Sequence, residues 1–345
     1  MASTFKHFLS SDATSTRTLL HEAIPLTGSI VSGTYGHATI AAGGESNIKS
    51  FSHGMFQSVY DYPHLSSSAN HIFDISVGVT GSSRAKLTTQ ASKKVNMYSQ
   101  MAQMLVGHDV NGNIRAFDAD GDLSAGTKHG DVVFLSLSRL LVKDEVKKGS
   151  FSMSIATGSA YHRAAMGAAV RTVADTGAAT SYKTNSPAGE YGILYAQSTK
   201  VGLIYYQAGV VVLTGSVFGN GIIKPDSVAA SAKFTGAVTG STINDIATGV
   251  RNRIKNISFN NTTELNSTVY FCRANHNEFN YSSNPSYLTG SQIRVKNKAI
   301  DAPRSYITTV GMYSADNELL AVAKLSEPLR KDPTNEVTLR VRLDY

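Results

Sequence analysis

The chain has 345 residues and a net charge of +7; 41% of its residues are hydrophobic, only 17% are charged, and one is a cysteine. That is long enough for a sizeable core and for more than one domain, and a single cysteine excludes a disulfide-built scaffold. The Lys and Arg residues fall in short separate groups instead of one basic stripe, so no nucleic-acid contact is expected. Gly, Ser, Thr, Asn and Ala fill the deficit in charge, as in β-rich proteins and in subunits that bury much surface against neighbours. Phe5 to Leu9 is too short for a signal peptide and is interrupted by Lys6 and His7. No apolar run reaches membrane-spanning length, so no membrane insertion is expected.

Residues 1–20 read as a frayed end or as an arm that orders on a partner. Leu26 to Ile40 reads as loop or irregular strand, and its glycines form no phosphate-binding fingerprint. Phe51 to Asp61 has the spacing of a short helix that Pro63 ends. Ile72 to Val79 alternates as a strand, with a turn at Gly81 to Ser83. Leu87 to Val106 is the best helix: Val95, Tyr98, Met101, Ala102 and Leu105 share one face, and Gly107 ends it. Asp131 to Val146 reads as an amphipathic helix through Phe134, Leu137, Leu141 and Val142, stopped by Gly149. Phe151, Met153 and Ile155 then alternate with serines as a strand. Gly158 to Ala179 fits helix or loop. Tyr191 to Tyr195 and Val201 to Leu213 read as paired strands, Gly219 to Gly240 as a loop or short helix, and Ile243 to Ile254 as a helix with Arg251 and Arg253 near its end.

From Asn256 onward the chain reads as successive strands: Ile257 to Phe259, Thr268 to Arg273, Asn277 to Tyr281, Gln292 to Lys296, Ser305 to Tyr313, Glu318 to Leu325 and Glu336 to Leu343. In the hairpin, Tyr306, Thr308, Val310 and Met312 form one face, and Ala315, Asp316 and Asn317 suit the turn. In the last strand, Val337, Leu339, Val341 and Leu343 form an apolar face opposite Arg340, Arg342 and Asp344. These two sets are the candidate interface hairpin and the candidate assembly strand. The fold class expected is α+β, a mixed central body with a β-rich, mainly antiparallel C-terminal region. Its segments are 1–60 (arm and irregular stretch), 61–180 (core), 181–250 (hairpin and insertion) and 251–345 (β-rich domain).

Catalytic signatures are absent. Ser138 and Ser216 lie in no nucleophile elbow. The histidines have no paired ligand spacing. Cys272 and His276 read as a buried thiol and a surface histidine. Glu22, Asp61, Asp74 and Glu190 are separate carboxylates with no visible pairing. Asp118, Asp120 and Asp122 bracket Gly121 like the start of a calcium loop, but counted from Asp118 the sixth residue is Leu123 and the twelfth His129, where such a loop needs Gly and Glu. They read as an acidic turn held by side-chain-to-backbone bonds. No enzyme activity, cofactor or metal is expected.

Six phrases carry a resemblance. They are Val59-Tyr-Asp-Tyr, Ala69-Asn-His-Ile-Phe-Asp, Lys94-Val-Asn-Met-Tyr-Ser-Gln-Met-Ala-Gln, Leu141-Val-Lys-Asp-Glu-Val-Lys-Lys-Gly, Asn277-Glu-Phe-Asn-Tyr-Ser and Tyr306-Ile-Thr-Thr-Val-Gly-Met-Tyr. Together they resemble virion structural proteins of large T4-like tailed bacteriophages, including marine cyanophage-like forms. The resemblance implies a non-enzymatic subunit of a contractile-tailed particle, foremost a baseplate or tail component. A neck, head-tail connector or fibre-attachment protein is the alternative, and a carbohydrate-binding receptor module the second. The partners implied are other virion subunits and further copies of the chain, assembled in the host cytoplasm.

Overall fold

A computed structural model describes residues 5–27, 46–81, 89–156, 170–218, 241–280, 288–289, 292–293 and 304–345. The fold is α+β, dominated by antiparallel strands. The first elements are strands Ala13–Thr27 (β1), Ile48–Ser50 (β2), Gln57–Tyr60 (β3) and His71–Val79 (β4), then helix Thr89–Leu105 (α1). Strand Asp131–Leu137 (β5), the single turn Arg139–Val142 (α2), and strands Glu145–Val146 (β6), Ser152–Ala156 (β7) and Val170–Ala174 (β8) follow. Next come the turn Ala178–Ser181 (α3), strands Tyr191–Ala196 (β9), Thr199–Tyr205 (β10) and Val210–Thr214 (β11), and helix Ile243–Arg253 (α4). The chain closes with strands Ile254–Ala274 (β12), Leu288–Thr289 (β13), Gln292–Ile293 (β14), Ser305–Tyr313 (β15), Leu319–Lys331 (β16) and Val337–Asp344 (β17).

The chain divides into two compact units, one of residues 20–263 and one of residues 1–19 with 264–345. This is a coarser partition than the four segments drawn from the sequence, and it joins the N-terminal stretch to the C-terminal region.

In the larger unit the strand order is β12-β7-β8-β9-β10-β11-β5-β4-β3-β2. Every pairing is antiparallel. The period-two alternation of the central strands divides the core. Phe73, Ile75 and Val77 of β4 and Val133 and Leu135 of β5 join Ile246 and Val250 of α4 in one cluster. Val132 and Phe134 of β5 and Val210 and Val212 of β11 join Tyr98, Ala102 and Leu105 of α1 in a second. Gly78 lets α1 seat on the sheet: a Cβ there would lie 2.9 Å from the Tyr98 Cα, closer than atoms tolerate. Gly107, at φ +82°, ends α1.

Two helical expectations are corrected. Residues 131–137 are a strand, because both of its faces are buried, so its apolar run carries no strand alternation and was read with helical spacing. Residues 51–56 are turns and loop that lead into β3. Charged side chains also lie in the interior: Lys94, Arg251 and Arg253 of this unit are each at most 1% exposed. Arg253 donates to the Ala156 carbonyl at 3.0 Å, and Lys94 donates to the Ser241 carbonyl.

In the smaller unit, residues 267–274 of β12 pair with β17, and β15 pairs with β16 as a separate two-stranded sheet. The N-terminal stretch contributes β1, which runs beside β12; the Ser15 and Thr268 hydroxyls are 2.9 Å apart. Two of the expected strands change. Ile257 to Phe259 and Thr268 to Arg273 are parts of one strand, β12. Residues 277–280 are turn and bend, because Phe279 takes φ +54° and Glu278 folds back to accept from the Asn275 N–H at 3.0 Å. Residues 1–4, 28–45, 82–88, 157–169, 219–240, 281–287, 290–291 and 294–303 lie outside the described set, and with them residues 28–40 of the expected glycine-rich loop, most of 158–179, the segment 219–240, and the expected strand residues Tyr281 and 294–296; Leu26 and Thr27 are the end of β1.

Burial lowers the Lys94 ammonium to about 8, partly offset by the Asp245 carboxylate. The unfolded side chain titrates near 10.4. Between these values the unfolded chain binds more protons, so stability on account of Lys94 rises with pH from about 8 to about 10.4 and is flat below that window. Melting curves of wild type and Lys94→Met across pH 7 to 10.5 should show the wild type gaining on the variant in that window. A constant difference would contradict the assignment.

Candidate interaction surface

The β15–β16 hairpin is fastened at its base. Lys331, 0% exposed, donates from Nζ to Asn280 Oδ1 at 2.7 Å, to the Asp332 carbonyl at 3.0 Å and to the His276 carbonyl at 3.2 Å. Ser305 Oγ donates to the Phe279 carbonyl. A buried ammonium is tolerated when its three donors all find oxygen, and here they do. Beside it the Thr334 hydroxyl and the Arg330 guanidinium hold the Asp332 carboxyl at about 2. At the far end Asn317, at φ +63°, closes the turn, with the Ser314 N–H donating to the Glu318 carbonyl at 2.9 Å. The expected strand and turn are both in place.

The expected face is not. Tyr306 is 63% exposed and Thr308 is exposed, Val310 is half-buried and Met312 is buried. The register breaks between Ile307 and Thr309, opposite residues 325–328 of β16. Pro328, which has no N–H to give a ladder, falls within this break. The alternation therefore changes sides, and Tyr306 and Met312 end in different surroundings. The exposed face at the tip is built from residues that sequence reading did not single out. Tyr313, Leu319, Leu320 and Val322 are each more than half exposed. A Cβ on Gly311 would lie 3.1 Å from the Tyr313 ring and 3.6 Å from Leu319, so the tyrosine covers the bare backbone of the strand. The unbroken apolar run Leu319-Leu-Ala-Val-Ala323 was the available signal, but an apolar run does not say which of its residues lack a cover.

In β17 the alternation is as read. Val337, Leu339, Val341 and Leu343 are half-buried, and Thr338, Arg340, Arg342 and Asp344 are exposed. They stand opposite Ala274, Cys272, Tyr270 and Thr268 of β12. The face is partly covered, not closed.

Asp118, Asp120 and Asp122 do converge: their carboxylate oxygens lie within 4.8 Å of one another. Asp118 Oδ2 accepts from the Leu123 N–H at 2.8 Å, and Asp122 Oδ1 accepts from the Ser124 N–H at 2.8 Å. The Ser124 bond lowers the Asp122 carboxyl, with further help from Asp118 and Lys128. Lys128 Nζ stands 2.9 Å from Asp118 Oδ1 without the alignment of a hydrogen bond, so that oxygen is matched by charge alone. Lys128 thus offsets one of the three carboxylates.

The separate carboxylates each hold a structural partner. Glu22 pairs with Lys143 at 2.8 Å and Glu190 with Lys148 at 2.5 Å. Asp61 accepts from Asn70 N–H at 2.7 Å. Asp74 Oδ1 receives both His71 Nε2 at 2.8 Å and the Ser58 hydroxyl at 2.5 Å. In that trio the hydroxyl is bonded to the carboxylate and not to the imidazole, so the histidine is not placed as its base. Cys272 is half-buried, and burial followed by Asp12 raises its thiol. His276 turns instead to Glu336 at 3.5 Å. Compared with protein-family models, curated proteins and solved structures, the chain matches none.

Lys331→Met should cost about 2–3 kcal/mol by leaving three acceptors without their donor, read as a lower midpoint in urea; an unchanged midpoint would contradict the anchoring role. Calcium titrated to millimolar levels should leave the melting temperature unchanged, because Lys128 offsets one of the three carboxylates, the Leu123 and Ser124 N–H groups already bond two of their oxygens, and no glutamate closes the loop. Saturable micromolar binding lost in Asp120→Ala would contradict this.

Proposed function

We propose that the chain is a non-enzymatic structural subunit of a contractile-tailed phage particle, a baseplate or tail component that joins neighbours through β-rich interfaces. The observation that carries the reading is the β15–β16 hairpin. A two-stranded hairpin is marginal by itself, and this one shows Tyr313, Leu319, Leu320 and Val322 to solvent beside its turn. Such a surface is costly in a free monomer and useful in an assembly, where a neighbour covers it. The low proportion of charged residues supports the same reading. So do the phrases that resemble phage virion proteins, two of which fall in 277–282 and 306–313. The partners on this reading are other virion subunits and further copies of the chain, with assembly in the bacterial cytoplasm.

The test replaces apolar tip residues without touching the anchor at Ser305 and Lys331. The double variant Leu320→Asp with Val322→Asp should keep its melting temperature within the small range of surface changes, about 0.5 kcal/mol each. It should lose at least about tenfold in incorporation when particles are assembled with it, as a loss of interface core does. Wild-type incorporation of the folded variant, or absence of the wild-type chain from purified particles, would sink the proposal.

A further inference from the structure

The pairing of β17 with β12 fixes which of its backbone groups are already used. Asn266 and Tyr345 exchange both backbone bonds, at 3.2 and 2.8 Å. The register continues without a break from Ser267↔Asp344 to Ala274↔Val337. In an antiparallel ladder bonded and non-bonded pairs alternate. The N–H and C=O groups of Val337, Leu339, Val341 and Leu343 therefore point to β12. Those of Thr338, Arg340, Arg342 and Asp344 point away from it. Among the described residues β12 is the one strand paired with β17, and none of them pairs with this outer edge.

We propose that β17 is an acceptor edge, which takes up by strand addition an extended segment of another subunit that alternates apolar and acidic residues. The proposal rests on the reading of the chain as an assembly subunit and states where, and by what chemistry, one neighbour attaches. The apolar half of that pattern follows from the half-buried row Val337, Leu339, Val341 and Leu343. A further strand with apolar side chains on that side extends the same apolar surface and packs against its outer flank.

The acidic half follows from charge on the other side. Arg342 is neutralised locally, with Nε donating to Asp344 Oδ1 at 2.7 Å and a second nitrogen donating to Ser267 Oγ at 3.0 Å. Arg273 of β12 is paired with Asp12 at 3.0 Å. Arg340 has no ion-pair partner among the described residues and is exposed. It leaves one uncompensated positive charge in the middle of the edge.

The same charge argues against a second copy of β17 as occupant. Two such strands laid antiparallel must set outward-bonding residues opposite one another, so even numbers face even numbers. In the two fullest registers Arg340 then faces either itself or Arg342. Like charges directly opposite destabilise a pair. Arginines on an open edge block self-association and leave an acidic strand as the matched occupant.

The probe is a short synthetic peptide alternating valine and glutamate, with a counterpart that carries lysine in place of glutamate. Each is titrated against the full chain by fluorescence anisotropy. The glutamate peptide should bind at least about tenfold tighter than the lysine peptide, and Arg340→Glu should reverse that order. Arg340→Pro removes an N–H that faces outward, so it should keep the melting temperature and lose the glutamate peptide. The proposal is overturned if the glutamate peptide shows no saturable binding, if it binds no tighter than the lysine peptide, or if Arg340→Pro binds it as wild type does. A fall in melting temperature of Arg340→Pro also overturns it, because the outward assignment would then be wrong. Particles that incorporate Arg340→Pro normally overturn the edge while leaving the subunit reading intact. Particles that lack the wild-type chain remove the subunit reading itself.

Discussion

A strand as long as Ile254–Ala274 must find backbone partners along its whole length, since unpaired amides and carbonyls in a protein interior are costly. β12 finds them in succession. Residues 254–258 pair with β7, 261–262 with β6, and 267–274 with β17. The middle of this run, Asn260-Asn-Thr-Thr-Glu-Leu-Asn266, is polar and would not hold a strand by its side chains. It holds because its polar groups are used. Asn261 and Thr262 are each 1% exposed. Asn261 Nδ2 donates to the Leu141 carbonyl at 2.8 Å, its Oδ1 accepts from the Glu22 N–H at 3.2 Å, and the Thr262 carbonyl accepts from the Asp144 N–H at 3.1 Å.

From that strand the smaller unit is built outward. β12 gives β17 its register, which determines the backbone groups left facing solvent. The turn after β12, at residues 275–280, receives the Lys331 ammonium and the Ser305 hydroxyl, and so fastens the base of the hairpin. The two surfaces proposed as attachment sites, the apolar hairpin tip and the outer β17 edge, thus depend on one element. The chemistry they offer is recognition: apolar area in one, backbone bonds and one arginine charge in the other.

What could be read from the sequence follows the same physics. β17 and the ends of β15 were legible because polar and apolar residues alternate on strands with one wet face. The α1 and α4 helices were legible because their apolar stripe has helical spacing. β5 was not: Val132, Val133, Phe134 and Leu135 are all buried, and a strand covered on both faces has no alternation to read. β12 was cut in two because the partners of Asn261 and Thr262 lie more than a hundred residues away. The burial of Lys94, Arg251, Arg253 and Lys331 was hidden because charged residues are ordinarily outside, and the carbonyls that receive them are set by tertiary packing, which periodicity does not show. The hairpin face was misassigned because a register break at Thr308 is set by the opposite strand and leaves no mark in residues 305–313 themselves.

Amide hydrogen exchange tests the central claim most directly, comparing the free chain with the same chain in assembled particles. The account predicts that in the free chain the outward amides of Thr338, Arg340 and Arg342 exchange fast and those of Leu339 and Val341 exchange slowly. On assembly, the outward set and the amides of Leu319 to Val322 should become protected. Equal protection of odd and even residues in the free chain, or no gain on assembly at either surface, would contradict it.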